Sequence, residues 1–476
     1  MTSLLVRNAT AILTGGKAEA ARARGSDLRV RDGRIAAIVT LVPEPGERQI
    51  DASGCVVYPA WVNTHHHLFQ SLLKGDAVGL NATLTPWLAA TPMRLRPLMT
   101  EQEFRLAARI GLLELVLSGC GTIADHNYHY YPDMPYDSSA ILFEEAARLG
   151  VRFVLCRGGA TLSRAPAAGG ALPPASRPET LDGYLADMRR LARDFHDPAP
   201  DAMRRVVVAP TTPPHSMRPE EMRETARVAR ELGLRLHSHL SETVHYQDTV
   251  QEKHGMSPVE FCQSIDWLGP DVWFAHLVKL DADEIALLGR TQTGIAHCPQ
   301  SNGRLGSGIA PVRALEAAGA RVSIGVDGAA SNEAADMLSE THAAWLMARA
   351  RAGHEAVAQY RGGRGEDDAA STTVEDVVRW GSAGGAAVLG LDAVGVLQPG
   401  LAADFSIYGL DRDPRYFGLH DPAIGIVASG GTADLRYLFV GGREVVRDGR
   451  VPHLDVMELG RQSREAVRGL LARLDG

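Results

Sequence analysis

Two imidazoles two positions apart, His65 and His67, stand in the run Asn63-Thr64-His65-His66-His67-Leu68-Phe69-Gln70, directly after the apolar residues 56–62. On an extended chain, side chains two apart point to the same side. Both rings can therefore reach one metal ion from one strand end. A His-x-His pair alone fits a polar loop equally well, so the choice depends on what else converges on it. His239, His276, His297 and Asp327 each close a further short apolar run. Neutral imidazoles with one carboxylate suit zinc and leave a position for water, and iron fits the same donors. Glu242 lies three residues past His239, beyond the ligands, where it can move protons without binding metal.

Such groups need a scaffold that gathers distant strand ends. After residues 56–62, strand-like runs recur at 121–125, 151–155, 206–209, 235–239, 272–276, 294–297 and 322–327. Helical segments separate them. Thr100-x-x-Glu103 and Thr372-x-x-Glu375 read as capping boxes, and Pro219 with Gly233 gives the Pro-first, Gly-last pattern. Eight strands alternating with helices predict an α/β fold, a parallel (β/α)8 barrel whose active site lies at the C-terminal strand ends. Ionisable groups closing so many strands would be costly to bury unless an ion binds several of them.

Residues 1–57 look all-β, with an Asp32-Gly33 hairpin signal, and alternation returns at 402–408 and 435–440. Short strands of this kind cannot bury a core alone. They predict one small β-sandwich domain built from both chain ends: residues 1–57 as its first part, 58–394 as the barrel, and 395–476 as its second part plus a C-terminal helix. A mobile loop is expected over 160–180 and an exposed Gly-rich one over 362–370.

The chain has 476 residues, 45% hydrophobic and 22% charged, with a formal charge of −8, which is enough for a large core and gives no basic footprint for nucleic acid or a membrane surface. No apolar run is long enough to span a bilayer and no signal peptide opens the chain, so a cytoplasmic location is expected. The cysteines Cys55, Cys120, Cys156, Cys262 and Cys298 are scattered and odd in number, which predicts reduced thiols.

These motifs together resemble the amidohydrolase superfamily, in its mononuclear deaminase branch. The matching stretches are Asn63-Thr64-His65-His66-His67, His237-Ser238-His239-Leu240-Ser241-Glu242, Ala275-His276 and Gly325-Val326-Asp327-Gly328. Residues 395–404 resemble the family's return strand into its sandwich. The resemblance spans essentially the whole chain. It implies His65, His67, His239 and Asp327 as metal ligands, and Glu242, His276 and Asp327 as catalytic residues. No Lys stands on the fourth strand, where the binuclear branch commonly carries one, so a single divalent ion is implied, Zn2+ first and Fe2+ second.

Residues 67–75, 83–88, 135–140, 297–305 and 413–420 narrow the resemblance to deaminases acting on pterins, isoxanthopterin above all. Those acting on 8-oxoguanine and the hydroxyatrazine-type aminohydrolases are similar across the barrel. The implied reaction is hydrolytic loss of ammonia from an amino-substituted bicyclic ring. Gln70 is expected on the lactam edge of that ring, Trp87 as a wall or stacking face, and Arg157 on its far carbonyl. A homodimer is expected, with a small-molecule heterocycle as the binding partner. The reading from a different class is a catalytically silent relative that only binds.

Overall fold

The computed structural model describes residues 3–162, 177–360, 372–430 and 434–475. The loop expected over 160–180 falls largely outside the described residues, and that over 362–370 wholly so.

The barrel strands are Trp61–Asn63, Cys120–Asn127, Arg152–Arg157, Arg204–Val208, Arg235–Leu240, Val272–His276, Gly294–His297 and Arg321–Ile324. They form one parallel eight-stranded sheet in chain order. The first strand meets the eighth where the Thr64 N–H donates to the Ile324 carbonyl at 3.1 Å. Alternation sets the two faces. Ala124, Val154, Cys156, Val207, Ala209 and Trp273 join one inner cluster, while Phe153 turns outward onto Phe143 of the helix Ser138–Leu149, ring centroids 5.4 Å apart. Ala386, Val388 and Leu389 complete the inner cluster. Gly294 admits this close approach: a Cβ there would lie 2.7 Å from Val388 Cγ1.

Local signals account for most helix boundaries. Glu101–Leu117 begins at a Thr100–Glu103 capping box, and Pro219–Glu231 opens on its proline and is followed by Gly233 at φ +69°. The second capping box lies one residue beyond its expected place: Thr373 and Asp376, not Thr372 and Glu375, close it around the helix Val374–Arg379. Both pairs have acceptable residue types, and burial of the Thr372 side chain removes it from the cap.

The small β domain has two sheets. One orders its strands Arg34–Val39, Asp27–Arg31, Ser3–Arg7 and Arg48–Asp51; the other orders Arg443–Arg447, Asp434–Val440, Phe405–Gly409, Cys55–Pro59 and Ala11–Ile12. Leu4, Val6, Leu28 and Ile50 of the first share a core with Val57, Phe405, Ile407 and Phe439 of the second. Asp32 (φ +49°) and Gly33 (φ +78°) make the tight hairpin turn that their types predict. Two expectations change. Residues 56–62 are not one barrel strand: Cys55–Pro59 pairs with Phe405–Gly409 in the sandwich, and Trp61–Asn63 starts the barrel. Residues 395–404 form the approach to the return strand, which itself is Phe405–Gly409.

All five cysteines are free and buried. No helix among the described residues is long and apolar enough to cross a membrane.

Candidate metal centre and active site

The histidine side chains meet at the C-terminal mouth, and their hydrogen bonds fix which ring nitrogen carries the proton. Nδ1 of His67 lies 2.7 Å from the His126 carbonyl, and Nδ1 of His239 lies 2.6 Å from the Thr211 carbonyl. A carbonyl only accepts, so each Nδ1 carries the hydrogen and each Nε2 presents a lone pair. Nδ1 of His237 likewise donates to the Trp273 carbonyl at 3.0 Å. Its Nε2 must then accept from His65 Nδ1 at 2.8 Å, which leaves Nε2 of His65 as a lone pair as well. Desolvation holds His65 down to about 4 and His239 well below the usual imidazole range, so neither ring is cationic near neutrality.

These lone pairs converge. His67 Nε2 and His239 Nε2 are 3.2 Å apart. Asp327 Oδ1 lies 3.3 Å from His65 Nε2 and 3.2 Å from His67 Nε2. His65 Nε2 is buried and has no hydrogen-bond partner. Three imidazole lone pairs and a carboxylate oxygen facing one point repel one another unless a cation stands among them. The donor set therefore fits a divalent metal of zinc type. His65, His239, His276 and Asp327 form one group whose donor atoms all lie within 4.8 Å, and His65, His67, His126 and His239 form another. His126 was missed in the sequence because the second strand was ended at Asp125. The strand runs to Asn127, and alternation from Ala124 would have turned His126 inward. His297 is buried but belongs to neither group.

The non-ligand candidates flank this point. Glu242 is buried, and desolvation raises its carboxyl above the usual range. Ser307 Oγ donates to its Oε1 at 3.1 Å, and its Oε2 lies 3.6 Å from His276 Nε2. Asp327 is held from behind, with Oδ2 accepting from Ser301 Oγ at 2.6 Å and from Ser331 Oγ at 3.1 Å. The backbone is strained here. Ser241, His276, Leu277 and Asp327 all adopt positive φ, between +45° and +77°, which non-glycine residues avoid unless their surroundings compel it.

Gln70 is buried with its Nε2 donating to Tyr128 Oη at 2.9 Å, while its Oε1 has no partner. One of the two N–H donors is spent on Tyr128, so the amide keeps its acceptor and a second N–H, the two halves the sequence suggested. Gly328 makes room for it, since a Cβ there would lie 1.9 Å from Gln70 Oε1. Trp87 is buried, its indole N–H donating to the Ala330 carbonyl at 3.1 Å. Arg157 is not brought to the mouth. It shares strand parity with Phe153 and Leu155 and faces the helix Leu181–Phe195, where it meets Glu179, Asp187 and the rings of Tyr130 and Tyr184. The sequence placed Arg157 at the strand end correctly but not on the correct face.

Comparison with known proteins follows the same lines. The amidohydrolase family pattern matches residues 56–445. An isoxanthopterin deaminase from an unknown prokaryotic organism is 63% identical over 472 residues, covering 98% of this chain and 97% of that protein. The 8-oxoguanine deaminase of Pseudomonas aeruginosa is 38% identical over 479 residues, covering 99% and 100%. The structure of atrazine chlorohydrolase TrzN from Arthrobacter aurescens TC1, complexed with zinc, superposes with a TM-score of 0.86 at 26% identity, covering 98% of this chain and 100% of that one.

Proposed function

The chain belongs to the amidohydrolase family, and we propose that it is a metal-dependent deaminase that hydrolyses isoxanthopterin, replacing the 2-amino group by an oxo group with release of ammonia. One observation carries the reading: the Nε2 atoms of His65, His67 and His239 converge with Asp327 Oδ1 beside a buried Glu242 whose carboxyl desolvation raises above its usual range. The 63% identity to an isoxanthopterin deaminase supports the choice of ring.

In this proposal His65, His67, His239 and Asp327 hold one divalent ion, zinc before iron. Such an ion, when bound, lowers the pKa of a coordinated water from 15.7 towards ~7. The chain's own groups do the rest. Asp327 accepts a proton from the attacking water through Oδ1, because Ser301 and Ser331 occupy Oδ2. His276 Nε2 orients that water. Glu242 donates a proton to the ring nitrogen beside the attacked carbon, a role that suits a carboxyl raised above its usual range by burial. Asp327 then returns its proton to the leaving ammonia, and the hydroxyl proton released as the oxo group forms restores Glu242. Gln70 Oε1 accepts an N–H of the lactam edge, and Trp87 walls the pocket. Arg157 takes no part.

Ammonia release across isoxanthopterin, pterin, 8-oxoguanine, guanine and hydroxyatrazine tests the proposal. The account expects isoxanthopterin to have the highest kcat/KM, with 8-oxoguanine second. Much faster turnover of 8-oxoguanine or of the triazine would reassign the substrate, and no ammonia from any of them would support a silent relative.

A further inference from the structure

A single short segment reaches all of the groups given catalytic work above. The helix Pro299–Arg304 begins just past the seventh barrel strand. Ser301 Oγ donates to Asp327 Oδ2 at 2.6 Å, and Asn302 Oδ1 lies 2.9 Å from His276 Nδ1. Ser307 Oγ donates to Glu242 Oε1 at 3.1 Å. Asn302 also fixes the turn that carries Ser307, since its carbonyl accepts from Ser307 N at 2.8 Å and Gly308 N at 3.3 Å. The segment is anchored by the buried Glu340, which accepts from Gln300 N at 3.0 Å and Gln300 Nε2 at 2.6 Å.

Resting on the proposed role of His276, we infer that Asn302 is the positioning residue that sets the rotation and tautomer of the His276 ring. The strand ends at His276, whose φ is +77°, and Leu277 follows at +45°; pairing with Leu240 places the His276 backbone but not its ring. Stacking on His239, with centroids 5.4 Å apart and planes 14° from parallel, fixes the tilt of the ring but not which edge faces the mouth. Asn302 fixes the edge. Its Oδ1 only accepts, so His276 Nδ1 carries a hydrogen, and in the neutral ring Nε2 presents a lone pair on the side of Glu242. At 3.6 Å from Glu242 Oε2 that lone pair makes no direct hydrogen bond, which leaves it to orient the water. Asn302 is itself fully buried, and its side-chain oxygen is committed to His276.

The test compares the zinc-loaded wild type with Asn302→Leu, Asn302→Asp, His276→Ala and the His276→Ala/Asn302→Leu double variant. Bound metal, kcat and KM for isoxanthopterin are measured in each. Leu is close in shape and lacks an acceptor, whereas Asp keeps one. Asn302→Leu should lower kcat by about 10–100-fold, with KM and metal content little changed. Asn302→Asp should keep kcat within about 10-fold of wild type. In the His276→Ala background, Asn302→Leu should cost nothing further, because the two act as one unit. Wild-type kcat in Asn302→Leu, an effect on KM alone, or the same fold-loss with and without His276 would overturn the inference. If Asn302→Leu does not fold, Asn302→Asp decides, and a loss beyond about 100-fold there overturns the inference. A fully active His276→Ala would sink the mechanistic reading of His276 itself. An impaired His276→Ala with an additive Asn302→Leu would sink only the role of Asn302.

Discussion

At the end of the third barrel strand, Arg157 donates to Glu179, Asp187 and the Gly158 carbonyl, and its guanidinium lies over the rings of Tyr130 and Tyr184. Burial opposes the charge, and the two carboxylates more than offset it. At the ends of the first, fifth and eighth strands, His65, His67 and Asp327 are buried and His239 is half-buried, and their ligating atoms face one another. A polar cluster whose bonds close internally serves the fold. One whose acceptors converge on a shared point requires an ion. Both are polar clusters at strand ends, and the direction of their hydrogen bonds tells them apart.

Removing a ligand is the strongest way to break this contrast. His239→Ala should lose both bound metal and measurable turnover, by metal analysis and an ammonia assay. Full metal and activity in that variant would remove the ligand assignment. Glu242→Gln should keep its metal and its fold and lose ~10²–10⁴-fold in turnover. Loss of metal along with activity would make Glu242 a ligand. Arg157→Ala sharpens the contrast from the other side. It should destabilise the protein by somewhat less than the ~3–5 kcal/mol of a fully buried pair, because Glu179 and Asp187 are partly exposed. Denaturant unfolding reads that loss, while metal content and kcat of the folded fraction should hold. Gln70→Leu should have the smallest effect, roughly 1–3 kcal/mol of transition-state binding, seen as lower kcat/KM with metal unchanged.

The barrel was legible because its strands are apolar runs, most of which close on a polar residue. That pattern alone gathers His65, His67, His239, His276 and Asp327. The split of residues 56–62 was not legible, since apolar alternation says that a segment is a strand without saying which sheet it joins. Arg157 was misread for a related reason: parity becomes visible only once the strand is known to turn Phe153 and Leu155 outward and Val154 and Cys156 inward. His126 was hidden by ending a strand at Asp125. The tautomers that make the cluster an ion site depend on carbonyls of His126, Thr211 and Trp273, and no spacing in the chain announces those partners.

Restoring metal to chelator-treated protein while following ammonia release from isoxanthopterin tests the central claim most directly. Activity should rise in proportion to added zinc and level off at about one equivalent per chain. Full deamination without metal, or stoichiometric zinc binding with no deamination of any pterin, would contradict the account.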